Sequence, residues 1–260
     1  MSEYIPLDAD FIKSNLDTNR IGREIIVHKS TTSTNDIAAE YAKSGSKNDG
    51  LVIFAEHQTA GRGRRGNKWL DDTGKSILCS VLLFNPKIEA DMITITAAVG
   101  LAETIGQSAK IKWPNDIILS GRKAAGILVE AFGDNKKKYY AVGIGINCHQ
   151  TKENFSGELS ETATSIDMES GVECDRNRLA KRLIMNLDHF LEAAVKDPDE
   201  VIEKWRDRSM LLGKRITIGH NGEEFTGNCI GIEPAEGLII QLERGGVRMF
   251  HAASTTIVKV

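Results

Sequence analysis

The sequence lacks the features that mark several large classes of protein. Its four cysteines are far apart and form no CxxC pair, so neither a disulfide framework nor a zinc site is predicted. Unpaired cysteines are typical of a reducing cytoplasm, where we expect this protein to be located. No apolar run approaches the roughly 18 residues that span a membrane, and the first residues contain no apolar core of signal-peptide length.

Charge and motif content exclude further classes. The chain has 33 Lys and Arg against 36 Asp and Glu, a formal net charge of −3. This balance argues against general nucleic-acid affinity, because nucleic-acid-binding domains usually carry a strong basic excess. There is no HExxH, no GxSxG and no GxxxxGK[ST] motif, so a zincin, a serine-hydrolase elbow and an ordinary P-loop are not predicted. We expect no DNA partner and no membrane partner.

One segment of this mildly acidic chain is strongly basic. Three glycines and four cations occur within the nine residues from Gly61 to Trp69. Glycine lets the backbone approach a ligand closely, and arginine offers a planar set of donors that matches phosphate or carboxylate oxygens. The spacing Gly61-x-Gly63-x-x-Gly66 matches the dinucleotide fingerprint, but the residues that follow are a poor helix start. We call residues 61–69 the basic loop. Its composition predicts that it binds an anion; the alternative is that it is solvated and binds no ligand.

Apolar patterning predicts an α+β fold with helices grouped beside a sheet, rather than a doubly wound one. The predicted strands are residues 24–28, 51–55, 76–84, 110–113, 115–119, 123–132 and 136–148. A turn at 133–135 joins the last two as a hairpin. The predicted helices are 91–106, 176–195 and 198–212, and Gly213 is predicted to cap the last of them. The polar, irregular residues 149–174 predict a surface loop.

The predicted organisation has three parts. Residues 1–24 form an N-terminal extension and residues 25–212 form the main domain. Residues 213–260 alternate short strands with glycine turns, which predicts a small C-terminal β-barrel.

Two further segments combine polar side chains with turn residues. Ser33-Thr34-Asn35 precedes a helical stretch, where such residues cap the helix, but three of them exceed what one cap requires. The surplus is explained if these side chains face a polar ligand. In Lys112-Trp113-Pro114-Asn115-Asp116, Asp116 is a candidate magnesium ligand or proton acceptor, or a plain turn aspartate.

The two long predicted strands near the chain centre also carry unusual residues. Lys123 begins a predicted buried strand. Its side chain either points into a site or is a charged residue that prevents aggregation at a sheet edge. Gly143 and Gly145 weaken a strand interior unless a helix or a ligand ring packs against the bare backbone.

In chain order, these segments resemble the biotin protein ligases, the biotin–[acetyl-CoA-carboxylase] synthetases. The resemblance covers roughly residues 24–150 by motif and rests on five segments: 33–35, 58–69, 112–116, 122–130 and 143–147. It implies a mixed β-sheet catalytic domain of class II synthetase type, flanked by helices. It also implies that biotin and MgATP give biotinyl-5′-AMP, and that biotin then passes to a lysine of a biotin carboxyl carrier protein. ATP and Mg²⁺ are the implied cofactors and biotin is the substrate.

The resemblance also implies roles for individual residues. Lys123, Arg64 and Asp116 are implied as catalytic, with Asp116 holding Mg²⁺ or accepting a proton. Ser33, Thr34 and Asn35 would bind the ureido ring, and Trp69 would close the loop over the adenine. The implied binding residues for biotin and the adenylate are Ser33, Thr34, Asn35, Gln58, Gly61, Arg62, Gly63, Arg64, Trp69, Lys123, Gly126, Gly143, Gly145 and Asn147. The basic loop is expected to be mobile without ligand and to become ordered when the ligand binds.

Repressor-type members of that family carry an N-terminal winged helix-turn-helix, which the first 24 or so residues cannot hold. The resemblance therefore implies a monofunctional ligase, monomeric or homodimeric, that acts on an acetyl-CoA carboxylase subunit. The nearest alternative is a lipoate- or octanoate-type ligase or transferase of the same fold. A module that grips RNA or DNA backbone through the basic loop is a weaker one.

Overall fold

The computed structural model describes residues 4–133 and 138–259. Within these ranges the helices are α1 Ala9–Lys13, α2 Thr34–Lys43, α3 Ala90–Ile105, α4 Leu159–Thr162, α5 Ile166–Ser170, α6 Arg176–Lys196 and α7 Pro198–Arg208. The strands are β1 Ile25–His28, β2 Val52–Ala55, β3 Ser76–Phe84, β4 Lys110–Lys112, β5 Asp116–Leu119, β6 Arg122–Gly133, β7 Lys138–Asn147, β8 Arg215–His220, β9 Glu223–Glu233, β10 Gly237–Leu242, β11 Val247–Phe250 and β12 Thr255–Lys259.

The larger sheet has seven strands in the order β1-β2-β3-β7-β6-β5-β4. β1 and β2 are parallel, and all other neighbours are antiparallel. This arrangement confirms the predicted α+β class with a mixed sheet flanked by helices. The predicted hairpin between β6 and β7 pairs in register from Ala125 to Gly133, but most of its turn lies outside the described residues.

Successive side chains of the central strands point to opposite faces of this sheet. From β3, Ile77, Cys79, Val81 and Leu83 enter the main apolar core with α3 and α6. Leu82, on the opposite face, packs in a smaller cluster against Ala38 of α2. Helices therefore cover both faces, which explains why β3 is apolar along nearly its whole length.

Helix α3 is buried on almost every side because it lies between the sheet and helices α6 and α7. Small residues such as Ala97, Ala98 and Ala102 are fully or almost fully buried and permit this close packing. None of the helices in the described part of the chain is long and apolar enough to cross a membrane.

The C-terminal strands form an open sheet, so the prediction of a β-barrel is wrong. Their order is β11-β10-β9-β8-β12, with antiparallel neighbours throughout. A barrel closes only if its first and last strands pair, and here β11 and β12 stand at opposite edges. At the β12 edge, the carbonyl of Thr255 instead accepts a hydrogen bond of 2.8 Å from Arg65 of the basic loop.

Two local predictions also differ from the structure. Helix α7 ends at Arg208 with Ser209 as its cap, so Gly213 is not the helix cap. Gly213 lies in a later turn with φ of +74° and donates its N–H to the carbonyl of Cys229. Residues 149–174 are not a plain surface loop: they contain α4 and α5, and Thr164 and Ser165 are completely buried.

A buried ion pair ties α6 to β2 and to the N-terminal segment. Arg176 Nη1 lies 2.8 Å from Glu56 Oε2, and both side chains are almost fully buried. The guanidinium also donates to the carbonyls of Ser76 and Ile5, and Glu56 accepts a bond of 2.6 Å from the N–H of Leu7. Every charge in this network is paired, which is the condition for a buried ion pair to be tolerated.

We expect Glu56→Gln to lower the free energy of unfolding by about 3 kcal/mol or more, because the Arg176 charge stays buried without its counter-charge. Urea unfolding monitored by circular dichroism measures the change. Glu203→Gln is the control, since its pair with Arg206 is exposed and should contribute less than about 1 kcal/mol. Equal losses in both variants would contradict the assignment of this network as a structural tie.

Candidate functional site

Most of the predicted site residues line one cleft of about 280 Å³. They come from the start of α2, the basic loop, the β4–β5 turn and the middle of β6 and β7. The predicted residues in its lining are Ser33, Thr34, Asn35, Gln58, Arg62, Gly63, Arg64, Trp69, Asp116, Lys123, Gly126, Gly143 and Gly145. Gly61 and Asn147 do not line it. Asn147 lines a second cleft of about 270 Å³. Gly61 lines a third, open depression of about 1100 Å³ formed mainly by residues 57–71.

The floor of the cleft is a part of the sheet where glycines leave the strand backbone without side chains. Register places Gly126 of β6 beside Gly145 of β7, and Gly143 beside Ser80 of β3. A Cβ at Gly145 would lie 2.5 Å from Cε2 of Trp69. A Cβ at Gly143 would lie 2.6 Å from Oδ1 of Asn35. The glycines are therefore required by the close approach of an indole and an amide that belong to the protein itself.

The start of α2 is held by a polar network rather than by simple capping. Within the described chain, Ser33 occupies the N-cap position without a side-chain capping bond. The amide N–H of Thr34 donates to Gln58 Oε1 at 2.8 Å. Asn35 Nδ2 donates to Glu130 Oε2 at 2.6 Å, and the Ser80 hydroxyl donates to Asn35 Oδ1 at 2.6 Å. These bonds fix the orientation of the Asn35 amide at the cleft wall.

The basic loop folds back on itself beside the cleft. The N–H of Trp69 donates to the carbonyl of Gly61 at 3.0 Å, and a Cβ at Gly61 would lie 2.6 Å from the Trp69 carbonyl oxygen. Only glycine permits so close an approach at this position. Arg64–Gly66 form a short 3₁₀ turn in place of the helix that a dinucleotide fingerprint needs. The Rossmann alternative is thereby excluded.

The arginines of this loop differ in their charge partners. Arg62 contacts two carboxylates, Asp36 at 2.7 Å and Glu130 at 3.1 Å. The hydrogen bond with Asp36 is the main cause of the raised pKa of Arg62, and the same bond lowers the pKa of the Asp36 carboxyl. The charge of Arg62 is therefore largely balanced within the protein.

Arg64, in contrast, is held by neutral acceptors. Its Nη1 donates to Asn115 Oδ1 at 3.1 Å and its Nη2 donates to the carbonyl of Ala252 at 2.8 Å. Burial lowers the pKa of the Arg64 guanidinium below its ordinary value, and the neighbouring Arg65 lowers this pKa further. An arginine remains charged under these conditions. Arg64 thus presents an oriented, incompletely balanced positive charge at the cleft.

Lys123 and Asp116 form an ion pair in the lining of the same cleft. Lys123 Nζ lies 2.6 Å from Asp116 Oδ1 and 5.7 Å from the centroid of the Trp69 ring. Strand pairing between β5 and β6 sets their positions, with Asp116 opposite Gly126. The Lys123 carbonyl accepts a hydrogen bond of 2.9 Å from the N–H of Thr164. The cleft therefore combines guanidinium and ammonium groups, a carboxylate, amide groups and an indole face.

Several residues that line the cleft or support its lining are absent from the sequence-based prediction. Ser80 was missed, although a serine inside an otherwise apolar strand signals a buried polar partner. Glu130 and Asp36 were missed because their role depends on contact with Arg62. The cleft wall formed by Thr255, Thr256 and Ile257 had no sequence signal, because it comes from the distant β12.

Comparison with known proteins identifies the family. The Biotin/lipoate A/B protein ligase family model matches residues 27–147. The biotin–[acetyl-CoA-carboxylase] ligase of Mycobacterium tuberculosis is 31% identical over 225 residues, which cover 82% of this chain and 81% of the relative. The corresponding ligase of Paracoccus denitrificans is 30% identical over 231 residues, covering 81% of this chain and 91% of the relative. The biotin protein ligase from Aquifex aeolicus in complex with biotin and ATP has a TM-score of 0.78 at 24% identity, covering 92% of this chain and 100% of that one.

The chain therefore belongs to the biotin/lipoate A/B protein ligase family, as a member of its biotin protein ligases. It is a ligase enzyme, and the family resemblance predicted from the sequence is confirmed. The roles of the individual cleft residues remain predictions.

We expect Gly145→Ala to displace the Trp69 indole and to lower the free energy of unfolding by about 1–3 kcal/mol, because the added methyl overlaps the ring. Acrylamide quenching of tryptophan fluorescence measures the exposure of Trp69, since Trp113 and Trp205 are buried. Gly219→Ala is the matched control in another strand, where the new Cβ meets only Val258 at 3.5 Å. Unchanged quenching in Gly145→Ala would contradict the close contact.

Proposed function

We propose that this protein activates biotin with MgATP to biotinyl-5′-AMP and then transfers biotin to the acceptor lysine of a biotin carboxyl carrier protein. The observation that carries this proposal is the convergence of Arg64, Lys123 and Asp116 on a cleft whose floor is Trp69 packed on Gly145. The relatives named as biotin–[acetyl-CoA-carboxylase] ligases support the carboxylase subunit as the partner.

The first step joins two anions, and the cleft cations explain how it can proceed. The biotin carboxylate attacks the α-phosphorus of ATP; a C–O–P bond forms, the bond to the β-phosphate oxygen breaks and pyrophosphate leaves. Preorganised positive charge in a partly desolvated site is often the largest catalytic contribution to such a step. We assign the larger share of this role to Lys123, which is oriented by its ion pair with Asp116. Arg64, held by its hydrogen bonds to Asn115 and Ala252, adds a smaller share of the positive charge.

The binding assignments follow the cleft geometry. We assign the polar ureido ring to Ser33, Thr34 and Asn35, and Gln58 orients Thr34. The second cleft shares Trp69 and Lys123 with the first and contains Asn147. We assign the adenine to this second cleft, with Trp69 as the stacking surface and Asn147 as a polar contact. Each cleft volume is near the lower end for small-ligand sites.

Asp116 has two candidate roles, and the structure bears on both. Mg²⁺ that accompanies ATP is usually held by one or two carboxylates together with substrate phosphates. The Lys123 ammonium lies against Oδ1 of Asp116, so the carboxylate offers a metal at most its other oxygen. Bound Mg²⁺ would supply neutralisation of phosphate charge. The alternative role is in transfer, where the acceptor lysine, with an ordinary pKa near 10.4, must lose a proton.

In that second step the neutral acceptor amine attacks the acyl carbon of biotinyl-5′-AMP. A C–N bond forms, the C–O bond to the phosphate breaks and AMP leaves. We assign the receipt of the ammonium proton to Asp116, which lines the cleft beside Lys123.

Incubation of the protein with biotin, ATP and Mg²⁺ is expected to yield biotinyl-5′-AMP, detected by mass spectrometry. Lys123→Gln should slow its formation by about 100-fold or more, because a charge at the reacting phosphate is lost. Lipoate in place of biotin is the control for the lipoate- or octanoate-type alternative. Formation of lipoyl-AMP without biotinyl-AMP would overturn the proposal.

The same assay separates the two roles of Asp116. If Asp116 acts only through Mg²⁺, Asp116→Asn should slow adenylate formation and spare transfer from supplied biotinyl-5′-AMP. If Asp116 accepts the proton, transfer should slow as well.

We expect Arg64→Gly to leave adenylate synthesis largely intact but to release biotinyl-5′-AMP, which then biotinylates lysines indiscriminately. The bonds of Arg64 to Asn115 and Ala252 hold the loop against two other parts of the chain, and their loss should open the cleft to water. Biotinylation of serum albumin, read with labelled streptavidin, measures the release. Arg215→Gly, which removes an exposed arginine paired with Glu243, is the control. No release above the wild-type level would show that Arg64 does not gate the loop.

A further inference from the structure

A group of metal-ligand side chains lies outside the two clefts, just beyond the end of β7. His149 follows β7, Asp167 lies in α5 and Cys174 precedes α6. Each offers one ligand atom, and these atoms all lie within 4.8 Å of one another. Imidazole nitrogen, carboxylate oxygen and thiolate sulfur are the donors that Zn²⁺ uses in proteins.

Hydrogen bonds already orient the side chains of His149 and Asp167. His149 Nδ1 lies 2.6 Å from Asp167 Oδ2, and the N–H of Cys174 donates to Asp167 Oδ1 at 2.8 Å. In a tetrahedral zinc site with ligand bonds of about 2.0–2.3 Å, neighbouring ligand atoms are about 3.3–3.6 Å apart. The His149–Asp167 pair would have to open by only about 1 Å to admit the ion.

The surroundings keep the thiol of Cys174 protonated in the absence of a cation. Contact with the Cys148 thiol and burial both raise the pKa of the Cys174 thiol. Contact with the Cys174 side chain raises the pKa of His149. Binding of a divalent ion would therefore convert the Cys174 thiol to a metal thiolate and release its proton.

We propose that His149, Asp167 and Cys174 bind Zn²⁺ or a divalent ion with the same ligand preference. His149 and Asp167 are 18 residues apart in sequence, and Asp167 and Cys174 are 7 residues apart. These positions therefore match no compact zinc-binding sequence motif. The fold brings them together, and the proposal departs from the sequence-based expectation of no zinc site. The proposal does not depend on the proposed ligase reaction.

The bound ion would stabilise the segment that borders Lys123. The N–H of Asp167 donates to the carbonyl of Cys148, which ties α5 to the end of β7. In the same segment, Glu169 pairs with Arg122 at 2.5 Å, and Thr164 donates to the Lys123 carbonyl. An ion joining β7, α5 and the start of α6 would therefore brace this whole region, and it should raise the midpoint of thermal unfolding.

Co²⁺ is the best probe, because a cobalt thiolate has a charge-transfer absorption band. The reduced full-length chain, stripped with a chelator, is titrated with Co²⁺ alone and then with Zn²⁺. We expect one equivalent of Co²⁺ per chain with a thiolate band that Zn²⁺ abolishes. Cys174→Ser should remove the band, and Asp167→Asn or His149→Gln should weaken metal affinity at least about tenfold. Added Zn²⁺ should raise the unfolding midpoint of the wild type but not of Cys174→Ser.

His189→Gln is the matched control, since His189 lies 3.8 Å from the carboxylate of Glu200 in an exposed pair. Its titration should equal that of the wild type. The proposal is overturned if the wild type shows no stoichiometric cobalt–thiolate band, or if Cys174→Ser keeps that band. Circular dichroism of each variant verifies that a lost band reflects a lost ligand, and the near-isosteric Asp167→Asn provides an independent arm should Cys174→Ser fold poorly. Because no readout uses ligase activity, failure here is distinguishable from failure of the proposed function.

Discussion

The close packing of protein side chains on bare strand backbone is the constraint on which the site depends. Gly145 admits the indole of Trp69 and Gly143 admits the amide of Asn35. Glycine weakens a strand interior, but here the loss is offset by burial of an aromatic ring and by satisfied amide hydrogen bonds. The contact fixes two otherwise separate segments, the basic loop and the start of α2, on one face of the same sheet.

Once the basic loop is fixed, its arginine side chains have different electrostatic roles. Arg62 faces Asp36 and Glu130, so its charge organises the wall of the cleft. Arg64 meets only neutral oxygens of Asn115 and Ala252 in its hydrogen bonds, so its charge stays available to an anion. A buried cation held by dipoles stabilises developing negative charge without reorganisation. The sequence shows a run of arginines, but only the contacts distinguish the balanced charge of Arg62 from the incompletely balanced charge of Arg64.

The parts of the site that follow from local sequence were predictable, and those that follow from long-range docking were not. The loop's failure to form a helix follows from the residues after Gly66, and the alternation of β3 follows from its own composition. The wall formed by Thr255 and Thr256 depends on where the C-terminal sheet docks, and no local pattern encodes that. The open C-terminal sheet was mistaken for a barrel for the same reason: strand count and spacing do not specify whether the edge strands pair.

Residues 149–174 show that a polar segment of sequence can be either exposed to solvent or partly buried. Polar residues without apolar periodicity usually lie in solvent, yet here Thr164 and Ser165 are buried. Their polar groups have hydrogen-bond partners within the protein: the N–H of Thr164 donates to the Lys123 carbonyl, the Thr164 carbonyl accepts from the Asn147 side-chain amide, and the Ser165 hydroxyl donates to the Gln150 carbonyl. The segment therefore behaves as a hydrogen-bonded cover along the first residues of β6. Because Lys123 is one of those residues, the position of its ammonium in the cleft depends on a region that the sequence presents as surface.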